Sequence, residues 1–254
     1  MLWVLDLDGV VWLAGQAIPG AADAITRLRA GNHRVVFVTN NSTPTVADYV
    51  ARLARAGIGV EAEELATSAQ AAATLVAEGE RVAFVGGPGI REALEARRAE
   101  VVPMTDQPDT VVVGRSLELD FGLLSEAAGA IRNGARFVAT NTDATFPTPK
   151  GPEPGAGALV AYLQVGSGRS PAVAGKPEAA MADLVRQRYG PPDMVVGDRA
   201  ETDGAFASRI GAPFALVLSG VTSRRDLPVV PEPAVTADDL AGAVGVVLDQ
   251  PTGG

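Results

Sequence analysis

Short apolar runs alternate along this chain with segments of helical periodicity, and that alternation narrows the fold more than any other feature. Leu2–Leu7, Arg34–Thr39, Val82–Gly86, Thr110–Gly114, Arg136–Thr140, Ala172–Ala174, Met194–Val196 and Phe214–Leu218 read as strands, with Leu65-Ala66-Thr67 a short addition. Most are apolar nearly throughout, as strands buried on both faces are. Helices fall between them at Ala21–Ala30, Ala69–Ala77, Ile90–Arg98, Leu119–Asn133, Pro177–Tyr189, Glu201–Ile210 and Asp238–Leu248, and one more runs to about Val165. Another starts at Ser42-Thr43-Pro44 and carries Val46, Tyr49, Val50 and Leu53 at helical spacing. Such a chain is α/β, with a parallel sheet and right-handed crossovers. Asp143–Gly157 and Pro228–Pro233 read as loops, and Pro251-Thr252-Gly253-Gly254 as a frayed end.

The chain has 254 residues, enough for one large domain or two smaller ones, and 47% hydrophobic content supplies ample core. A net charge of −9 argues against nucleic acid or an anionic membrane as partner. It also requires any phosphate site to carry its own local positive charge. The absence of cysteine excludes disulfides, thiol catalysis and zinc–thiolate sites, and fits a reducing compartment. The start does not read as a signal peptide, and no apolar stretch is long enough for a bilayer, so the cytoplasm is the default expectation. His33, the single histidine, sits in the turn Gly31-Asn32-His33-Arg34, which disfavours Ser-His-Asp and poly-His chemistry. Catalysis is left to carboxylates, hydroxyls, amides and lysine.

Four clusters follow strands, at the end where open α/β sheets bind ligands. Asp6 and Asp8 lie two apart, so both can point one way, and Gly9 allows the backbone to turn. Two like charges so close call for a cation or a shared proton. Thr39-Asn40-Asn41-Ser42 opens a helix and can cradle an anion, although such a segment alone is more often helix capping and a turn. Lys176, in Gly175-Lys176-Pro177, can be the counter-charge or an ordinary solvated side chain, and its context is not a Walker A loop. Asp198 ends a strand as Asp6 does, whereas Glu201 and Asp203 also suit the dipole of the helix they open. Together, Asp6, Asp8 and Asp198 offer oxygen ligands for Mg²⁺, and Thr39, Asn40 and Lys176 would hold three phosphoryl oxygens. Asp6 would then stand in line to accept a phosphoryl group as an aspartyl-phosphate.

The ordered set Asp6-Leu7-Asp8-Gly9-Val10, Val38-Thr39-Asn40-Asn41-Ser42, Gly175-Lys176-Pro177 and Gly197-Asp198 with Asp203 resembles the haloacid dehalogenase-like hydrolases. Thr-Asn-Asn-Ser, Gly-Lys-Pro and Gly-Asp-Arg-x-x-Thr-Asp are similar to its 4-nitrophenylphosphatase and NagD-like branch, as is Leu216–Thr222. The resemblance implies a Rossmann-like parallel-sheet core over 1–78 and 174–254, with an inserted α/β cap domain over 79–173. It implies a Mg²⁺-dependent phosphatase acting on a small phosphate monoester of the sugar, polyol, glycolate or nucleotide type. Asp6 would be nucleophile and metal ligand. Asp8 would be general acid and then base, with its backbone carbonyl on the metal; dehalogenating relatives lack an acid there. Asp198 would complete the ligands, Asp203 would act through Lys176 or metal-bound water, and Thr39, the Asn40 N–H and Lys176 would bind phosphate. In the cap, Asn141, Thr142, Asp143 and the Phe146–Gly157 loop are candidates to reach substrate, and Trp12 and Leu13 could wall the pocket. Similar proteins dimerise through the cap, so a homodimer is an open expectation. Two other classes compete. A phosphoryl-accepting signalling module has no use for the insertion, and an Asp-x-Asp nucleotide-sugar transferase leaves Thr39–Ser42 and Lys176 unexplained.

Overall fold

A computed structural model of the chain describes residues 1–249, and the Pro251–Gly254 end lies outside them. Among the described residues, a six-stranded sheet is ordered Val235–Ala237, Phe214–Val217, Met194–Gly197, Leu2–Leu5, Arg34–Thr39, Leu65–Thr67. Every neighbouring pair is parallel, with Leu5 opposite Val196 on one side and Phe37 on the other. Leu2–Leu5 is therefore central and buried on both faces, which accounts for its unbroken apolar run. The chain leaves that strand toward Arg34–Thr39 and later returns on its other flank at Met194–Gly197. The strand order thus reverses at Leu2–Leu5, and a crevice opens beyond its carboxyl end.

A second parallel sheet of five strands is ordered Ala172–Val173, Arg136–Ala139, Thr110–Val113, Arg81–Val85, Glu100–Val101. All its strands come from the stretch between the third and fourth strands of the first sheet. One apolar cluster joins the two sheets, with Leu2, Val36 and Val38 from the first and Val82, Val112 and Val138 from the second. Trp3, Leu5, Phe37, Tyr49 and Leu53 form a cluster on the opposite face of the first sheet.

Several local readings shift. The helix expected from Ser42 runs over Val46–Arg55, because Thr45 and Asp48 form a reciprocal cap in which each accepts the other's backbone N–H. Ser42 and Thr43 are engaged elsewhere, Ser42 Oγ with Thr140 Oγ1 at 3.0 Å and Thr43 Oγ1 with the Arg115 carbonyl at 3.2 Å. The expected loop after Asp143 contains an antiparallel hairpin, Thr145–Thr148 with Gly151–Pro154. Its prolines mask the strand signal, and they are tolerated because a two-stranded ribbon is all edge. Trp12–Leu13 and Gln16–Ala17 pair as a smaller hairpin. No helix among the described residues is long and apolar enough to cross a membrane.

Candidate active site

The crevice beyond the central strand holds a cavity of about 50 Å³ lined by Asp6, Asp8, Thr39, Asn40, Asn141, Asp143, Lys176 and Asp198. Eight side chains singled out from the sequence thus meet in one space, and Asp203 is hydrogen-bonded to Lys176, whereas Thr142, Trp12 and Leu13 are not in the lining. Each of the eight is delivered by a strand end. Asp6 extends the central strand through its N–H to the Val196 carbonyl at 2.9 Å, Thr39 ends the Arg34 strand, and Asp198 follows Met194–Gly197. Lys176 enters from the second sheet's last strand.

The Lys176 ammonium sits between two carboxylates, 2.8 Å from Asp6 Oδ1 and 2.6 Å from Asp203 Oδ1, and donates to the Val38 carbonyl at 3.2 Å. Burial alone would lower its pKa, but Asp203 and Asp6 outweigh burial and hold it above its ordinary value. Asp203 is fixed on its other oxygen by the Arg199 N–H at 3.1 Å. The segment Ala200–Gly204, wound as a π-helix, begins right after that arginine. Asp203 therefore orients the lysine.

Burial pushes the Asp6 carboxyl well above its usual range, with Lys176 opposing and Asp203, Asp198 and Asp8 adding to the rise. Burial and then Asp203 push Asp198 up to about 7. Asp6, Asp198 and Asp203 each present an oxygen within 4.8 Å of the others, so one lysine faces three buried acids. One Asp198 oxygen accepts the Val221 N–H at 2.6 Å, which leaves the second available. Glycine is required on two sides of that carboxylate, since a Cβ at Gly9 or at Gly220 would run into it. An all-oxygen, acid-rich cluster short of positive charge fits a hard divalent cation such as Mg²⁺.

Asn40 organises the opposite wall. Its Oδ1 accepts the Lys176 N–H at 2.7 Å, while Nδ2 donates to the Lys176 carbonyl at 3.0 Å and to Asp143 at 3.1 Å. The side chain is fully engaged, so only its backbone N–H remains for an anion, as the resemblance implies. Asn141 donates to the Asn40 carbonyl at 2.6 Å and accepts the Asp143 N–H at 3.0 Å. Its amide thus ties the loop after the Arg136–Ala139 strand to the loop after Arg34–Thr39 and is not free to grip a substrate. Asp143, half-buried, has its carboxyl raised by burial, with Arg199 opposing.

Asp8 stands on the outer side. Its Oδ1 accepts the Trp12 indole N–H at 3.1 Å, and that indole stacks on Tyr49. Burial pushes Asp8 up to about 6, with the Trp12 bond pulling the other way. A carboxyl held there can both give and take a proton near neutrality. Phe146, Pro147, Gly155 and Ala156 of the expected substrate loop are in the lining, and sequence reasoning missed Arg115, Arg199 and Thr145 there. Arg115 carried one usable signal: like the four clusters, it stands just past a strand end, in this case Thr110–Val113.

Comparison with known proteins agrees with this geometry. Residues 3–99 match the family described as haloacid dehalogenase-like hydrolase, and residues 173–243 match a second, HAD-hydrolase-like family. The chain is 39% identical over 229 residues to the D-glycerol 3-phosphate phosphatase of Mycobacterium tuberculosis, covering 88% of this chain and 64% of that protein. The chain thus spans somewhat less than two thirds of that relative's length. A structure of the mycobacterial enzyme in complex with magnesium superposes with a TM-score of 0.88 at 37% identity, over 95% of this chain and 75% of that one. The acid sugar phosphatase of Staphylococcus saprophyticus is 34% identical, with 89% of each chain covered. The p-nitrophenyl phosphatase of Archaeoglobus fulgidus gives a TM-score of 0.88 at 31% identity, over 96% of this chain and 98% of that one.

Proposed function

The chain belongs to the haloacid dehalogenase-like hydrolases, and on that premise we propose that it is a Mg²⁺-dependent phosphatase that hydrolyses a small phosphate monoester through an aspartyl-phosphate on Asp6. The observation that carries the reading is Lys176 bridging Asp6 and Asp203 beside the Asp198 carboxylate and the Thr39 hydroxyl. A nucleophile, a cation and an anion cradle then share one small space.

Lys176, the Thr39 hydroxyl and the Asn40 N–H bind the phosphoryl oxygens and orient phosphorus toward the free oxygen of Asp6. That oxygen forms a bond to phosphorus as the ester P–O bond breaks, and the departing oxygen takes the proton held on Asp8. The Asp8 carboxylate then accepts a proton from water, whose oxygen attacks phosphorus and frees both inorganic phosphate and Asp6. Asp6, Asp198 and the Asp8 backbone carbonyl would hold Mg²⁺, which supplies charge neutralisation for the phosphoryl oxygens and the clustered carboxylates. The second sheet roofs the cavity and excludes water during transfer. The phosphoryl end of a small phosphorylated metabolite suits the scale of the cavity. A chain without cysteine suits the cytoplasm, and dimer formation through the second sheet is part of the same reading.

Asp6→Asn tests the proposal with p-nitrophenyl phosphate as probe. Phosphate release is expected to fall by about a thousandfold or more while the melting profile is kept, because the nucleophile is lost without a change of shape. Release at the wild-type rate from that variant, or wild-type release that is indifferent to chelator, would overturn it.

A further inference from the structure

Beside the small cavity lies a groove of about 680 Å³, bounded by the Trp12–Ala17 hairpin, the Val46–Arg55 helix and the Thr145–Pro154 hairpin. Asp8, Arg115, Phe146 and Pro147 line both spaces. The groove therefore begins on the side where a leaving group takes the proton of Asp8. Its charge is unlike that of the molecule. In a chain of net charge −9, this mouth gathers Arg52, Arg55 and Arg115 against Glu153 and Asp8.

Arg115 is held as a recognition group is held. Its side chain is 14% exposed, Nη2 donates to Glu153 Oε2 at 2.8 Å, and the guanidinium lies 4.4 Å from the centroid of the Phe146 ring. Among the described residues, its Nε and Nη1 donate to no protein atom, so one edge of the fork is uncommitted. A guanidinium fixed in plane by an aromatic face and one carboxylate loses little further freedom on gripping a planar anion. The two nearby acids discourage a second dianionic phosphate, whereas a carboxylate brings a single charge and matching geometry.

Resting on the phosphatase reading, we propose that Arg115 is a specificity determinant that selects phosphate monoesters whose leaving group carries a carboxylate. Arg52 and Arg55, both exposed, add a positive field that draws such dual anions to the groove.

D-Glycerate 3-phosphate and glycerol 3-phosphate test this, since they differ only in a carboxylate for a hydroxymethyl group. Wild-type kcat/KM is expected to favour the glycerate ester. Arg115→Ala should lower the ratio of the two kcat/KM values about tenfold, the worth of one charge-assisted hydrogen bond. Arg115→Lys should recover part of it, and Glu153→Gln, which releases the guanidinium from its partner, should raise it. A ratio reports selectivity independently of how much enzyme folds. An unchanged ratio in Arg115→Ala, or wild-type preference for the neutral ester, would overturn the assignment of Arg115. No release from either ester or from p-nitrophenyl phosphate would instead overturn the phosphatase reading, and this inference with it.

Discussion

Replacing Lys176 with methionine removes the one ammonium from the carboxylate cluster and keeps most of its volume. The contacts at 2.8 and 2.6 Å each correspond to about 6 kcal/mol of attraction at an effective dielectric of 20, before the desolvation of all three charges is set against them. Breaking a buried pair from one side costs about 3–5 kcal/mol net, because the partner charges stay buried and unpaired. That is a large share of the roughly 5–15 kcal/mol that keeps a domain folded. Urea unfolding at pH 7.5 in chelator should show this loss. The loss should shrink on acidification. Asp6 already has a raised pKa in the presence of the lysine, and without it the folded state takes up a proton more readily still. At pH 5.5 the gap to wild type is expected to narrow by more than about 1 kcal/mol, one unit of pKa shift. A loss under 1 kcal/mol at pH 7.5, or a gap that ignores pH, would refute Lys176 as the counter-ion of the cluster.

Three other outcomes follow from the geometry. In metal-free protein, Asp8 at about 6 and Asp198 at about 7 lie above their unfolded values, so their stabilising contribution is full below about pH 4 and is lost as pH rises through 6 and 7. Mg²⁺ should therefore raise the melting temperature more at pH 8 than at pH 5.5, and equal rises would contradict the assignment. Asn40→Ala leaves the Lys176 backbone and Asp143 without partners and should cost about 3 kcal/mol in denaturant unfolding, against under 1 kcal/mol if the clamp is dispensable. Gly9→Ala and Gly15→Ala share a φ of +82°, but only at position 9 does the new Cβ meet the Asp198 carboxylate. Both should lose the roughly 1–2 kcal/mol of left-handed strain, with position 9 losing clearly more and weakening Mg²⁺ binding. Equal losses would mean that Asp198 yields.

What could be read from the residues follows what burial demands. Strands such as Leu2–Leu5 and Thr110–Val113 are covered on both faces, so their apolar runs are unbroken and legible. Val235–Ala237 and Glu100–Val101 lie at sheet edges, are short, and carry polar residues, so no run marks them. The hairpin after Asp143 is hidden by Pro147, Pro152 and Pro154. The carboxylates and the lysine were visible because each breaks an apolar pattern at a strand end. Arg115 was not, since a lone arginine opening a polar stretch has the look of ordinary solvent-facing chain. The choice of Thr45 over Ser42 as helix cap turned on contacts with Thr140 and Arg115, which are remote in sequence.

The amide of Asn40 has a mechanical consequence. It joins the first sheet to the Lys176 loop and, through Asp143 and Asn141, to the second sheet's loops, beside a cavity of about 50 Å³ that adjoins the larger groove. Any rocking of the second sheet over the first is therefore cheapest about the point where these bonds converge. With the pivot beside Lys176, a slight rotation moves the Thr148–Gly151 turn, which lies outside the cavity lining, through a wider arc than the Lys176 and Asn40 side chains themselves. The rim can shift while the hub stays still.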